Sequence, residues 1–282
     1  MISGMTYLEA VHSAQTILEE HQVPDADTDA LLLLQFVCGM THAGYYAHRQ
    51  ENMPEDAHSR YMDLIQMRAS RVPLQHLTKE QCFMGLTMEV RPDVLIPRQD
   101  TEILVQEALS HVRKGDAVLD LCTGSGCILV SILKLGKHLT GCGSDLSPGA
   151  LELAARNAQR CGVEADFLRS DLFEDIDGCF DMIVSNPPYI RSEDLKDLME
   201  EVRDHEPVLA LDGGEDGLCC YRRIVPESLA HLEPGGWLIV EIGYDQGSAV
   251  RSMFEAQGYE EIKVVKDLGG NDRVVLGRKK IV

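Results

Sequence analysis

The sequence predicts an α/β protein in which a small all-helical region precedes a mostly parallel, doubly wound sheet that ends in an antiparallel hairpin. Helix-period apolar patterns fill the first eighty or so residues, and from about residue 98 strand-like and helix-like segments alternate. Alternation of this kind is typical of a parallel sheet with helices on both faces. The length of 282 residues suits one large or two modest domains.

The first predicted domain, residues 1–80, contains three or four short helices. The stretch "TYLEAVHSAQTILEEH" repeats apolar or small side chains at helical spacing. "DADTDALLLLQFVCGM" begins with acidic capping residues and ends at Gly39, and "MPEDAHSRYMDLIQMRASR" has Pro54 near its start. Nothing in these helices demands chemistry. We therefore expect this domain either to recognise a partner or only to stabilise the rest of the chain.

Residues 81–97 are predicted to form a β-hairpin linker between two domains. Apolar side chains alternate with other residues in "CFMGLTMEVRPDVLIP", both before and after the tripeptide at 91–93. Alternation indicates strands, and Arg91-Pro92-Asp93 is the expected turn between them.

Residues 98–282 are predicted to form the sheet domain. The predicted strands lie in "AVLDLCTG", "HLTGCGSDL", "ADFLRSDL", "CFDMIVSN", "GWLIVEIG", "EIKVVKDL" and "RVVLGRK". The predicted helices lie in "DTEILVQEALSHVR", "CILVSILKLG", "SPGALELAARNAQRCG", "GLCCYRRIVPESLAHL" and "QGSAVRSMFEAQG". The third of these helices has a full set of end signals, with Ser147 as N-cap, Pro148 in the first turn and Gly162 at the end.

The charge balance disfavours non-specific contact with nucleic acid. The formal net charge is −20, from 46 acidic residues against 26 lysines and arginines. Binding to phosphates needs clustered cations, which this composition lacks, so we expect neither stable nucleic-acid binding nor membrane binding. An acidic chain suits a basic protein partner, although the acidity also serves solubility alone.

Nine cysteines occur, an odd number, and no two have Cys-x-x-Cys spacing. Most stand within apolar runs, so we expect reduced core thiols of a cytoplasmic protein, without disulfides and without a metal site. The start "MISGMTYLEA" lacks the features of a signal peptide, and the longest apolar run, "ALLLLQFVCGM", is too short to span a bilayer.

A glycine loop between a strand and a helix indicates a nucleotide site. In "LDLCTGSGCI", Gly124 and Gly126 form the turn after a buried strand, and the following helix offers unpaired N–H groups. Asp145 ends the next strand, where a carboxylate is placed to bind the two hydroxyls of a ribose. This geometry admits NAD, FAD or S-adenosylmethionine.

Two details favour S-adenosylmethionine over a dinucleotide. The third glycine of a dinucleotide fingerprint is absent, because Leu129 stands at its position. Asp120 would lie near a cationic group such as a methionine ammonium, whereas it would repel a pyrophosphate. The strand-end Asp171 in "RSDLF" adds a plausible adenine contact, or it merely caps the surface.

A stiff polar turn, "VSNPPYI", follows another predicted core strand. Ligands of open parallel sheets lie beyond the carboxyl ends of the strands, so this turn should face the same cleft. The Asn186 side chain and the carbonyls of Asn186 and Pro187 can accept both hydrogens of a planar –NH2 group. Tyr189 can stack on that group. Acceptors on both N–H bonds push electron density onto an amide nitrogen and favour its attack on a methyl group.

These residues resemble the Asn-Pro-Pro-Tyr class of S-adenosylmethionine-dependent methyltransferases. Further motifs narrow the resemblance to the protein-(glutamine-N5) methyltransferases of peptide-chain release factors. In chain order they are "LIPRQDTE", "DLCTGSG", "SDLSPGAL", "VSNPPYI", "EPVLALDGGEDGL", "GWLIVEIGYDQG" and "DLGGNDRVV". The resemblance covers residues 73 to 282.

The resemblance implies a fold, a reaction and a set of site residues. The family joins an N-terminal helical domain through a hairpin to a seven-stranded, Rossmann-like methyltransferase domain. It methylates the glutamine of the Gly-Gly-Gln loop in bacterial class 1 release factors, release factors 1 and 2, and yields S-adenosyl-L-homocysteine. By resemblance, the catalytic residues are Asn186, Pro187, Pro188 and Tyr189. By resemblance, the cofactor-binding residues are Asp120, Cys122, Thr123, Gly124, Ser125, Gly126, Asp145, Asp171 and Asn186.

The chain departs from the family at two points, with Gln99-Asp100 in place of Pro-Glu and Cys122 in place of Gly. Position 122 should contact the ligand through its backbone, so we expect the cysteine to be tolerated. Three alternatives stay open: glutamine methylation of a ribosomal protein, N6-adenine methylation of nucleic acid, and a non-catalytic module that keeps the cofactor pocket.

Overall fold

The computed structural model describes residues 5–281, so the first residues of the stretch tested for a signal peptide lie outside the described part. Its residues fall into two compact units. The first unit comprises the chain up to Lys79 together with Met199–His205. The second comprises Glu80–Leu198 and the chain from Glu206 onward.

Within residues 5–281, eight helices lie in the predicted segments, whereas three short helices were not predicted. In chain order the helices are α1 Tyr7–Glu20, α2 Ala26–Cys38, α3 His42–His48, α4 Glu55–Ala69, α5 Leu74–Thr78, α6 Glu102–His111, α7 Cys127–Leu135, α8 Pro148–Cys161, α9 Glu200–Arg203, α10 Cys219–His231 and α11 Gly247–Ala256. The three that were not predicted are α3, α5 and α9. Between residue 5 and Lys79 there are five helices where three or four were expected, because α3 and α5 are too short to show an apolar stripe.

Local end signals explain several helix boundaries. Thr6 and Glu9 form a capping box at α1, in which each side chain accepts a hydrogen bond from the other residue's backbone N–H. α2 ends as predicted at Gly39, in the left-handed conformation that glycine adopts without strain. The predicted ends of α8 are also confirmed: the Ser147 side chain accepts from a first-turn N–H, and Gly162 terminates the helix.

The second unit contains a two-stranded hairpin and the predicted seven-stranded sheet. The strands are β1 Glu80–Phe83, β2 Leu86–Glu89, β3 Ala117–Leu121, β4 Thr140–Asp145, β5 Asp166–Arg169, β6 Phe180–Ser185, β7 Leu232–Glu241, β8 Glu260–Lys266 and β9 Asp272–Arg278. The hairpin is formed by β1 and β2, and the sheet is formed by β3 to β9. The sheet order is β5-β4-β3-β6-β7-β9-β8; β3 to β7 are parallel and β9 is antiparallel to both neighbours. The doubly wound fold with a terminal hairpin is therefore confirmed.

Strand register brings the ends of the parallel strands to one edge. Leu121 at the end of β3 pairs with Ser144 in β4 and with Ser185 in β6. Ser185 pairs in turn with Val240, the residue before Glu241. The loops that leave these strands therefore emerge side by side, which is the geometry of a ligand site in an open parallel sheet.

The hairpin exists, but its predicted turn is wrong. β1 and β2 pair through the two-residue turn Met84-Gly85, in which both φ angles are positive, at 50° and 75°. Two-residue hairpins favour this conformation, and Gly85 adopts it freely. Arg91 to Asp93 lie beyond the hairpin, where the Arg91 guanidinium forms two 3.0 Å hydrogen bonds with the Asp93 carboxylate.

The nine cysteines are free thiols, but only Cys127 is buried, and Cys82, Cys179 and Cys219 are exposed. The other five are half-buried and pack against hydrophobic core clusters, so the expectation of core thiols is wrong only for the three exposed ones. An apolar run does not reveal which face of an element its cysteine occupies. In the described chain, no helix combines the length and apolar character that a bilayer span requires, and no cluster of three potential metal ligands occurs.

A buried ion cluster joins α9 to the helical unit. Arg68 on α4 donates to Asp29 on α2 at 2.7 Å and to Glu201 on α9 at 3.0 Å, and all three side chains are nearly excluded from solvent. Arg71 donates to the second Glu201 oxygen at 2.7 Å. Burial raises the pKa of Asp29 although the Arg68 charge opposes this shift. The cluster therefore depends on the arginine charge.

We expect Arg68→Ala to destabilise the helical unit by about 3 kcal/mol, because it leaves the buried Asp29 carboxylate without its cation and Glu201 with Arg71 alone. Hydrogen exchange of the α2 and α4 amides in the full chain measures the loss. Arg60→Ala is the matched control on the same helix, since its exposed pair with Asp56 spans 3.7 Å and should contribute less than about 1 kcal/mol. Equal effects of both substitutions would contradict this account.

Candidate active site

A cavity of about 360 Å³ opens at the edge where the parallel strands end. Residues 93–98 form one wall, and the others come from the loops after β3, β4, β5 and β6 and from residues between 207 and 223. This volume falls within the usual range for small-molecule sites. The residues predicted for cofactor binding that line it are Cys122, Thr123, Gly124, Ser125, Asp145, Asp171 and Asn186.

The glycine loop after β3 is shaped by close packing. Gly126 has a φ of +77°, and a Cβ there would lie 2.9 Å from the Cβ of Ala154 on α8, so only glycine fits. Gly124 has a φ of +54°, and a Cβ added there would have its nearest neighbour 3.9 Å away, which leaves the loop backbone open to the cavity. The buried Asn157 donates to the Ser125 carbonyl at 2.9 Å and holds the loop from behind.

Asp145 presents a fixed carboxylate to the cavity. Its Oδ2 accepts from the Gly124 N–H and its Oδ1 from the Ser147 N–H, each at 2.9 Å. Burial raises its pKa, and these backbone hydrogen bonds oppose that shift. Each carboxylate oxygen retains a further lone pair, so the group can still accept from the two hydroxyls of a ribose.

Asp171 and Arg223 form an ion pair on the cavity wall, with 2.7 Å between Oδ1 and Nη1. This pair fixes the carboxylate at the end of β5, next to the buried Leu172, whose φ is +53°. A planar base would find an apolar surface beside a hydrogen-bond acceptor here.

Asp120 lies completely buried behind the glycine loop and does not line the cavity. Its Oδ2 accepts from the Thr123 hydroxyl at 2.6 Å, whereas Oδ1 has no hydrogen-bond partner within residues 5–281. Burial raises its pKa to about 7. A cationic ligand near the loop would stabilise this carboxylate by Coulomb attraction.

The residues present fit S-adenosylmethionine. Its ribose hydroxyls and its adenine amine each need an acceptor, and the carboxylates of Asp145 and Asp171 on the cavity wall are groups that can accept these hydrogen bonds. Its positive charge suits the buried carboxylate of Asp120 with its unpartnered oxygen. The open backbone at Gly124 permits close approach of the ligand.

Two residues of the Asn-Pro-Pro-Tyr turn line the cavity and two do not. Asn186 and Pro188 line the cavity, whereas Pro187 and Tyr189 are not among its lining residues in the described chain. The Tyr189 hydroxyl instead lies 3.3 Å from Oε1 of Glu241 at the end of β7. Tyr189 is thus placed to hold the shape of the turn from within.

Two segments clamp the backbone that leaves this turn. The Gln246 side chain donates to the Tyr189 carbonyl at 2.9 Å, and the Ile190 N–H donates to the Leu211 carbonyl at 3.0 Å. A Cβ on Gly213 would lie 2.7 Å from the Tyr189 Cα, so glycine is required for this approach. The motifs around residues 206–218 and 236–247 therefore act as supports for the turn.

Sequence reasoning missed several site residues. Thr101 lines the cavity and its hydroxyl accepts from the Asn186 amide nitrogen at 3.3 Å. Arg98, also on the wall, pairs at 2.6 Å with Glu206, whose carboxylate is buried. Both cavity residues belong to "LIPRQDTE", whose resemblance to the family was the available signal. Glu241 and Gln246 belong to "GWLIVEIGYDQG", another motif of the resemblance, but only sheet register shows that they meet the turn.

Cys122 occupies a left-handed backbone position, with a φ of +57°, where the related family commonly has glycine. We expect Cys122→Val to weaken binding of S-adenosyl-L-homocysteine about tenfold, because a β-branched residue is strained at this φ. Cys122→Gly, the matched control, should bind within about threefold of the parent, since glycine adopts this conformation freely. Isothermal titration measures both affinities, and a valine variant that binds normally would refute the strain argument.

Comparison with known proteins identifies the family. A protein-family model described as the PrmC N-terminal domain matches residues 9–78, and one described as the methyltransferase small domain matches residues 99–215. Release factor glutamine methyltransferase from Geobacter sulfurreducens is 44% identical over 262 residues, 93% of this chain and 92% of the relative. The protein of the same name from Agrobacterium fabrum is 41% identical over 275 residues, 95% of each chain.

Solved structures share the fold at lower identity. A methyltransferase from Pyrococcus furiosus has a TM-score of 0.55 and 20% identity, over 70% of this chain and 90% of its own. The 16S rRNA N2 G1207 methyltransferase of T. thermophilus, in complex with AdoMet and guanosine, has a TM-score of 0.53 and 18% identity, over 71% and 50% of the two chains. Together with the sequence relatives, which match over nearly the full chain, these findings confirm the resemblance noted from the motifs: the chain belongs to the release factor glutamine methyltransferase family.

Proposed function

We propose that this protein transfers a methyl group from S-adenosyl-L-methionine to the side-chain amide nitrogen, N5, of the glutamine in the Gly-Gly-Gln motif of bacterial class 1 release factors 1 and 2. The observation that carries the proposal is the orientation of Asn186. Its Nδ2 donates to Thr101, which leaves Oδ1 as a hydrogen-bond acceptor at the cavity wall. The names of the relatives support the protein substrate.

Asn186 and the Pro187 carbonyl would form a slot for the target amide, and this slot would overcome the chemical difficulty of methylating an amide. An amide nitrogen shares its lone pair with the carbonyl and is a weak nucleophile. When bound, S-adenosylmethionine supplies an electrophilic methyl group. Asn186 Oδ1 and the Pro187 carbonyl would accept the two N–H bonds of the target amide and raise electron density at its nitrogen. These hydrogen bonds strengthen as positive charge develops on that nitrogen, which is how they favour the transition state.

In the proposed methyl transfer, one bond forms, one bond breaks and one proton is released. A bond forms between the amide nitrogen and the methyl carbon while the bond between that carbon and sulfur breaks, which leaves S-adenosyl-L-homocysteine. One N–H proton of the target leaves for solvent, so the product amide is neutral. The stiff turn keeps both acceptors in place, and fixed alignment of this kind contributes up to about 7–11 kcal/mol in well-oriented systems.

The remaining residues are assigned to binding and support. The main chain of residues 122–126, with Asp145 and Asp171, would hold the cofactor, and Asp120 would complement its positive charge. Pro188 and Tyr189 would shape the slot. We assign residues 1–80 to recognition of the release factor, residues 81–97 to the linker and residues 98–282 to catalysis. The acidity of the chain suits a basic substrate protein in the cytoplasm.

The proposed activity is tested with a labelled methyl donor offered in parallel to release factors, ribosomal proteins, DNA and RNA. We expect label on the release factors, and mass spectrometry should place it on the glutamine of Gly-Gly-Gln. Label on a ribosomal protein or on nucleic acid, with none on a release factor, would overturn the proposed substrate. Cofactor binding without transfer to any acceptor would indicate a binding module.

We expect Asn186→Ala to lower kcat for release-factor methylation at least about 100-fold, because the slot loses a positioned acceptor. Its affinity for S-adenosyl-L-homocysteine should stay within about threefold of the parent, as a titration can show. Asn271→Ala, an exposed asparagine in the β8–β9 turn, is the control and should behave like the parent. Full turnover by Asn186→Ala would exclude the slot mechanism.

A further inference from the structure

A chain of polar groups runs from the cavity wall into the interior. Asn186 donates through Nδ2 to the Thr101 hydroxyl at 3.3 Å, and that hydroxyl lies near enough to the buried Glu241 carboxyl to lower its pKa. Thr101 is 2% exposed and Glu241 is 1% exposed. The Tyr189 hydroxyl reaches Glu241 Oε1 from the same turn. Glu241 is not among the lining residues of the cavity, so it acts on the cavity only through its neighbours.

We propose that Glu241, acting through Thr101, is a positioning residue that fixes which face of the Asn186 carboxamide is turned toward the target. This inference rests on the proposed function, in which Asn186 Oδ1 accepts from the target amide. Both ends of an asparagine amide have nearly the same shape, so packing alone does not choose between oxygen and nitrogen. If Asn186 Nδ2 faced the target amide, this donor would oppose attack of the amide nitrogen on the methyl group. If Oδ1 faces it, this acceptor favours the attack.

The direction of donation along these hydrogen bonds is set by Glu241 at their buried end. An ionised carboxylate has no hydrogen to give and can only accept. The Glu241 Oε2 has no hydrogen-bond partner within residues 5–281, and the neighbouring Thr101 hydroxyl can donate to it after a small movement of its side chain. A hydroxyl that donates to Glu241 has only its lone pairs left for Asn186. Asn186 must then present Nδ2 to Thr101 and Oδ1 to the cavity.

The charge state of Glu241 therefore determines the orientation of the Asn186 amide. Burial raises its pKa to about 7, against the Thr101 hydroxyl, the Arg273 charge and the Tyr189 hydroxyl, which lower it, while Asp100 raises it further. Tyr221 and Cys127 also face it, and both have raised pKa values and are neutral near pH 7. Protonated Glu241 can donate to Thr101, which frees the Thr101 hydrogen for Asn186 and permits the reversed amide. Above pH 7, ionised Glu241 thus keeps Asn186 Oδ1 turned toward the cavity. Below pH 7, protonated Glu241 permits both orientations of the amide.

The first test observes the amide without any substrate. The sequence holds four asparagines, at 52, 157, 186 and 271, so selective ¹⁵N-asparagine labelling gives few side-chain signals. The Asn186 signals are assigned by their loss in Asn186→Asp. We expect them to shift with a midpoint near pH 7 in the parent and to lose this shift in Glu241→Gln and Thr101→Val. The Asn157 signals, whose partners are backbone groups, should not move.

The second test measures methylation of release factors. Thr101→Val should lower kcat about tenfold or more with the KM for S-adenosylmethionine little changed, and Thr101→Ser should recover most of kcat because it restores the hydroxyl. The fall of kcat below pH 7 should be weaker in Glu241→Gln than in the parent. Asp120 also has a pKa of about 7 and titrates in both proteins, so the difference between them reports Glu241.

The outcomes separate the two proposals. The positioning role would be overturned if the Asn186 signals did not change with pH in the parent. It would also be overturned if they shifted with pH as much in Thr101→Val as in the parent. Equal kcat values for Thr101→Val and the parent would overturn it too. A normal Asn186 titration in a protein that methylates no release factor would support the hydrogen-bond chain and reject the proposed substrate.

Discussion

The parallel register of β4, β3, β6 and β7 is the constraint on which the site depends. It aligns Leu121, Ser144, Ser185 and Val240 across the sheet, so the residues that follow them leave at a common edge. The glycine loop, Asp145, the Asn-Pro-Pro-Tyr turn and Glu241 are neighbours for this reason, although they span more than a hundred residues of sequence. A slip of one residue in any of these pairings would also reverse the side chains of that strand.

The site combines a rigid acceptor with carboxylates held in an interior that raises their pKa values. Asp120 and Glu241 are both fully buried, each has an oxygen without a partner within residues 5–281, and burial raises the pKa of each to about 7. Buried carboxylates are costly unless a cation or a donor compensates them. A positively charged ligand would compensate Asp120 from the cavity side, while Arg273 and two hydroxyl groups stabilise Glu241.

The sequence was most informative where local chemistry decides the outcome. The ends of α8 follow from Ser147, Pro148 and Gly162, and the glycine loop follows from a buried strand and the helix after it. Longer-range features were not predictable. Glu241 meets Tyr189 only through sheet register, 52 residues apart. The hairpin turn was misplaced because Met84 adopts a left-handed conformation that a methionine rarely takes.

The turn at residues 186–189 must hold the target nitrogen if the proposed chemistry is correct. A crystal structure with S-adenosyl-L-homocysteine and a Gly-Gly-Gln peptide tests this most directly. We predict the glutamine amide nitrogen within about 2.7–3.2 Å of both Asn186 Oδ1 and the Pro187 carbonyl oxygen. A glutamine side chain bound elsewhere, or Asn186 presenting its nitrogen to the peptide, would contradict the account.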